Sequence, residues 1–295
     1  MDHEVFARIA LKDLLRQVAV GWAIRFLLWF VFLVAIALMP NEFNASSVII
    51  AVVVLGLLIL WTRDGWIYVG RKLGLFLPSP ERLQLIVQGT SARMNVSVGE
   101  VCLMRSSLAQ AFAMPASRRL LFTERLLELL SDQEIAAVCT HELAHLTEAR
   151  SDYYKRYVSW FIFLPWIFFN PMVHTFGLLG FVVLILVTLL APLLYRRLSQ
   201  KLELRADLIA HSNEPEPGAY AEALVRLHQD NLVPAVLAKK RATHPDLYDR
   251  LLAAGVTPDF ARPAPAHYMA WHGHLFAGAL GLLAMIVILR LTQYL

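Results

Sequence analysis

Two histidines four residues apart, with a glutamate directly after the first, raise metal chemistry at once: His141-Glu142-Leu143-Ala144-His145. On a helix, positions i and i+4 share a face, so both imidazoles can reach a single ion. Glu142 sits one step round, within reach of a water on that ion. H-E-x-x-H thus offers two zinc ligands and a general base from one stretch of helix, which is what metal-assisted hydrolysis of a peptide bond needs. A solvated helix that carries His, Glu and His by chance fits the same five-residue pattern, so the flanking residues decide. Ser131-Asp132-Gln133-Glu134 is an S-x-x-E capping box and predicts a helix starting at Asp132. Ile135, Ala136, Val138, Cys139, Leu143 and Leu146 make that helix apolar. Burying two histidines and a glutamate there without partners is costly, and a bound metal supplies the compensation.

A zinc site of this kind needs a third protein ligand and an open position for water. Glu203, in Glu203-Leu204-Arg205-Ala206-Asp207, is the best candidate, on an expected second helix after the fourth apolar block. Asp207 lies four residues on, on the same face, placed to accept the other ring N–H of a ligand histidine and fix its tautomer. Ala111-Phe112-Ala113 and Arg119 to Thr123 read as short strands joined by a turn at Met114-Pro115-Ala116-Ser117. An edge strand there can hold a peptide substrate by strand addition, although a plain packing strand fits equally well. Thr243-His244-Pro245 offers His244 as a donor to a developing oxyanion, with Tyr248 as the alternative. His272 and His274 read as interfacial residues.

The elements that position these groups lie partly in apolar blocks. Of 295 residues 58% are hydrophobic, above the half typical of a soluble domain. A membrane-spanning helix takes about 20 apolar residues. Candidate spans run over Trp22–Met39, Val48–Trp61, Tyr157–Val173, Phe176–Tyr195 and Leu275–Leu291, with an Asn170-Pro171 turn between the third and fourth. Residues 2–19 read as an amphipathic helix. Arg8, Lys12 and Arg16, then Arg63, Arg71, Lys72, Arg82 and Arg93, then Arg196, Arg197, Lys201 and Arg205 fall on one side, and residues 40–47 and 170–171 on the other carry no Lys or Arg. The positive-inside rule then puts the N-terminus and the H-E-x-x-H segment in the cytoplasm. Cys102 and Cys139 form no disulfide framework, in keeping with that side. A net charge of +4, placed beside the apolar blocks, gives no case for nucleic acid.

With these residues in view, the chain resembles the membrane zinc endopeptidases that include HtpX and the CaaX-prenyl proteases. The resemblance rests on His141 to His145, on the Glu203 to Asp207 E-x-x-A-D segment, on Thr243-His244-Pro245 with Arg250, and on the approach from Ala111-Phe112-Ala113 through Leu126 to Leu130. It covers most of residues 20–255. It implies that His141, His145 and Glu203 hold one zinc ion, that Glu142 is the base and that His244 assists the transition state. It also implies that Ala111, Phe112, Ala113 and Arg250 meet the substrate. The chain departs from the family at Gln110, where Asn is usual, and in its fifth span.

The expected fold is α+β, mostly α: a multi-span helical membrane protein with a cytoplasmic, zincin-like catalytic domain and a small edge sheet. Its parts are an amphipathic helix and transmembrane hairpin (1–75), a first catalytic half (76–156), a second hairpin (157–195), a second catalytic half (196–265) and a C-terminal span (266–295). The expected activity is zinc-dependent endoproteolysis of proteins or peptides, chiefly membrane proteins, in quality control or regulated processing. By resemblance the setting is a bacterial inner membrane, and self-association is left open. A signalling membrane metalloprotease of the antirepressor type is the alternative, to which the H-E-L-x-H motif and Phe169-Asn170-Pro171 are loosely similar. A non-catalytic membrane scaffold is the other.

Overall fold

A computed structural model describes residues 11–149, 164–233 and 245–262. The expected fifth span, His244, His272, His274 and residues 2–10 of the expected amphipathic helix lie outside them. The described chain is mostly helical, with one small sheet.

Helix α1 (Leu11–Leu38) runs unbroken from the expected amphipathic stretch into the first apolar block, so no boundary separates the two. Helix α2 (Ala45–Leu60) begins at a reciprocal Asn44–Ser47 capping box. It continues through a π-helical turn, Trp61–Gly65, into α3 (Trp66–Lys72). Counted through that turn, Ala45–Lys72 is the one described helix long and apolar enough to cross a membrane. Shorter apolar stretches occupy Trp29–Leu38 and Leu178–Leu189.

The sheet has the order β1-β2-β4-β3: β1 (Phe76–Leu77), β2 (Glu100–Met104), β3 (Ala111–Met114) and β4 (Arg119–Thr123). The β2–β4 pair is parallel, and the other two pairs are antiparallel. Side chains alternate between faces along a strand, and burial here follows that period. Leu103, Leu120 and Phe122 face a core made with α4 (Glu81–Met94), α5 (Glu124–Leu129) and the motif helix α6 (Asp132–Leu146). Cys102 and Leu121 face the other way, onto Ile67 and Trp66 of α3. The α3 end is tied to the sheet by Arg119, which bonds Glu100 at 2.8 Å and also pairs with Asp64.

Two expectations about the second hairpin are corrected. Asn170 and Pro171 do not form its turn: they lie in the first turn of helix α7 (Phe169–Phe176), which follows a 3-10 turn over Leu164–Phe168. Asn170 instead donates to the carbonyls of Ile36 and Met39 at 3.2 and 3.0 Å, tying the start of α7 to the end of α1. The reversal falls at Gly177, whose φ of 57° suits glycine. Glu203 is not on a separate helix either. Helix α8 (Leu178–Ser212) carries the fourth apolar block and the Glu203–Asp207 segment as one rod of 35 residues. Helices α9 (Ala219–Asp230) and α10 (Leu247–Ala253) then close over α6 and α8 through Ala137, Ala210, Tyr220, Leu224, Leu247 and Leu251.

Candidate metal centre

Helix α6 starts at Asp132, N-capped by Ser131, whose backbone N–H in turn bonds the Glu134 carboxylate at 2.8 Å. The cap fixes the helix start and so the angular position of everything after it. From Ile135 onward the helix is packed on nearly all sides, with Ile135, Cys139 and Leu143 fully buried. His141, Glu142 and His145 are therefore buried polar groups, at 5%, 8% and 6% exposure, which need partners or a ligand.

The histidines have partners on their outer nitrogens. His141 Nδ1 lies 3.0 Å from Asp207 Oδ1 and 2.7 Å from the Tyr220 hydroxyl. His145 Nδ1 lies 2.6 Å from Glu148 Oε1. Each Nδ1–H donating to a carboxylate leaves each Nε2 with a lone pair turned inward. Those two Nε2 atoms are 3.2 Å apart, with Glu203 oxygens 3.6 Å from one and 3.5 Å from the other. One ligand atom from each of the three residues falls within 4.8 Å of the others, the only such trio among the described residues.

This donor set fits a divalent metal. Ligands about 2.0–2.1 Å from a tetrahedral ion are separated by roughly 3.3 Å, close to the spacings here. Two imidazole nitrogens and a buried carboxylate converge there, the mixed donor set that a divalent ion takes. Charge argues the same way. In the metal-free protein burial pulls the His141 pKa down, but hydrogen bonds to Asp207 and Glu203 outweigh it and raise it to about 9. The carboxylates of Asp207 and Glu203 thus favour positive charge at this point.

Behind His141 the network continues. Tyr220 also donates to Asp207, and Arg250 grips both Asp207 oxygens, Nη2 at 2.7 Å and Nε at 3.0 Å, while donating to the Tyr220 hydroxyl at 2.8 Å. Burial raises the Asp207 pKa, but Arg250 and His141 more than offset it and hold the carboxyl well below its ordinary range. Arg250, expected at the substrate, lies behind His141, on Asp207 and Tyr220. Its guanidinium has the fork geometry that a carboxylate accepts. Further along α8, Arg205 donates to the Ala144 carbonyl at 3.3 Å and to Thr147 Oγ1 at 3.0 Å, which locks the Glu203 helix to the end of the motif helix.

Glu142 makes no hydrogen bond or ion pair among the described residues, so its carboxylate has no structural partner to compete with a water. Ala111, Phe112 and Ala113 form β3, the edge strand, and β3 packs against the motif helix. Phe112 is 42% exposed there. Tyr248, the alternative donor, packs edge-on to Phe260. Glu148, Tyr220 and Arg205 were not legible in the sequence as site residues. Glu148 alone had a local signal, three residues after His145.

A capped, buried H-E-x-x-H helix, a carboxylate from a second helix beside it and an adjacent edge strand define a metallopeptidase site. The model of peptidase family M48 matches residues 79–255, and the chain belongs to that family. No curated protein matches the chain.

Proposed function

We propose that this protein is an integral-membrane zinc endopeptidase of the HtpX type, cutting protein or peptide substrates, chiefly membrane proteins, on the cytoplasmic side of a bacterial inner membrane. The observation that carries the catalytic reading is the convergence of His141, His145 and Glu203 within 4.8 Å, buried, beside an uncommitted Glu142. Zinc is favoured over other divalent ions by mixed imidazole and carboxylate ligation. When bound, it supplies a Lewis acid for the scissile carbonyl and lowers the pKa of water toward about 7. Glu142 accepts the proton of the attacking water and returns it to the leaving amine. Asp207 and Glu148 hold the two imidazoles in the ligating tautomer. The β3 edge presents backbone groups that orient an extended peptide.

The membrane reading is supported by the apolar helix Ala45–Lys72 and by exposed Phe26, Phe30 and Leu33 on α1 and Leu178 and Leu179 on α8. Apolar surface on that scale needs lipid or another protein to cover it. Quality control or regulated processing is the corresponding role.

Metal content and cleavage of a misfolded model substrate by wild type and Glu142→Gln, side by side, test the reading. Expected are about one zinc per chain in both and a loss of roughly 100- to 10,000-fold in cleavage for Glu142→Gln. Absence of zinc from the wild type, with no cleavage after reconstitution, would leave the scaffold alternative.

A further inference from the structure

Asn231 shortens the free edge of the sheet. Thr123 N–H donates to the Gln110 carbonyl at 3.0 Å, and Gln110 N–H donates to Thr123 Oγ1 at 2.9 Å, so Gln110 faces β4. Backbone groups alternate sides along a strand. Ala109, Ala111 and Ala113 therefore turn their N–H and C=O outward, away from β4. Ala109 is already occupied: its N–H donates to Asn231 Oδ1 at 2.9 Å, and its carbonyl accepts from Asn231 Nδ2 at 2.8 Å. The side-chain amide takes the two bonds that a neighbouring strand residue would make. At the other end Pro115 has no N–H and begins the turn into β4. Among the described residues two outward rungs remain without a partner strand, Ala111 and Ala113.

Asn231 is held firmly. It caps α9 just after Asp230, whose side chain is 6% exposed and pairs with Arg125, Nε to Oδ2 at 3.0 Å. The same helix carries Tyr220 against His141. One rigid element thus spans from the metal-ligand side to the end of the substrate edge.

We propose that Asn231 is a positioning residue that limits an added substrate strand to two rungs. The peptide pairs with Ala111 and Ala113 and leaves the sheet before Ala109, which fixes its register relative to the metal centre. The inference rests on the endopeptidase reading and adds to it a restriction on how much extended substrate is held.

The test is a backbone N-methyl scan of a cleaved model peptide with zinc-loaded wild-type protein, followed by the same scan with Asn231→Ala. Each rung lost to methylation should lower kcat/KM roughly tenfold. Expected in the wild type are two sensitive positions attributable to strand pairing, two residues apart, mainly through KM, and no third in that alternating series. In Asn231→Ala a third position, two residues further on, becomes sensitive. A third sensitive position in the wild type, or an unchanged window in a folded, zinc-loaded variant, would overturn this inference and leave the endopeptidase reading intact. Failure of wild type to cleave any unmodified peptide would overturn that reading and this inference with it. If Asn231→Ala does not fold, the wild-type scan decides alone.

Discussion

At the scale of single residues, the site is organised by what stands behind each histidine. His141 is backed by Asp207, Tyr220 and Arg250, and His145 by Glu148. Such partners raise ligand basicity and fix the ring, and losing one costs about 10- to 100-fold in metal affinity. Asp207→Asn should therefore weaken zinc binding by that factor, read by competition with a chelator, with Tyr220→Phe less severe because Asp207 remains. The raised His141 pKa gives a pH signature. A group whose pKa is higher folded than unfolded stabilises the fold fully below its unfolded value, near 6.5, and the contribution is lost as pH rises through the folded value, about 9. The Tm of metal-free protein should fall between pH 6.5 and 9 from this group. The zinc-loaded protein should lack that fall, because a ligating imidazole carries no titrating proton there. Differential scanning calorimetry of both forms across this range is the check.

At the scale of elements, helix α8 joins the apolar block to Glu203 and Asp207 without a break. At 1.5 Å per residue its 35 residues run about 52 Å. Because the rod is continuous, ligand placement depends on angular register along it. Inserting one alanine between Leu198 and Ser199 turns Glu203 by about 100° relative to the upstream helix. Arg205 anchors the downstream part to Ala144 and Thr147, so the strain falls on the packing of one half or the other. The expected outcome is loss of bound zinc by elemental analysis, with helical content by circular dichroism retained. The sequence made the motif helix legible because its start is local chemistry, Ser131 with Glu134, and its buried face is a run of apolar residues. The β3–β4 hairpin was legible from its turn. Helix α8 was not: Tyr195-Arg196-Arg197 marks where polarity changes, and a change of polarity need not interrupt helical hydrogen bonding. The Asn170-Pro171 pair misled for a related reason, since proline is tolerated in the first turn of a helix as well as in a reversal. Tyr220 and Arg250 reach His141 only through the packing of α9 and α10, a long-range arrangement with no local trace.

At the scale of the whole molecule, the proposed topology makes a prediction that the two native cysteines leave open to clean testing. Cys102 and Cys139 are buried, at 3% and 0% exposure, and burial pushes both thiols up. The thiolate is the reactive form, so the folded wild type should label slowly with a maleimide. A cysteine introduced at an exposed site then reports its own side of the membrane. Asn41 lies exposed between α1 and α2, and Gln133 lies exposed in the first turn of the motif helix. In the proposed topology, which rests on the charge pattern, Asn41 is on the outer face and Gln133 in the cytoplasm. In sealed right-side-out vesicles, Asn41→Cys should react with a membrane-impermeant maleimide at once, and Gln133→Cys only after permeabilisation. The reverse pattern would place the metal centre outside and overturn the assigned orientation. Reaction of both without permeabilisation would mean that Ala45–Lys72 does not separate them across a bilayer, and its apolar surface would then need a protein partner instead. Either result bears on substrate access, because β3 and the metal centre share the side on which Gln133 lies.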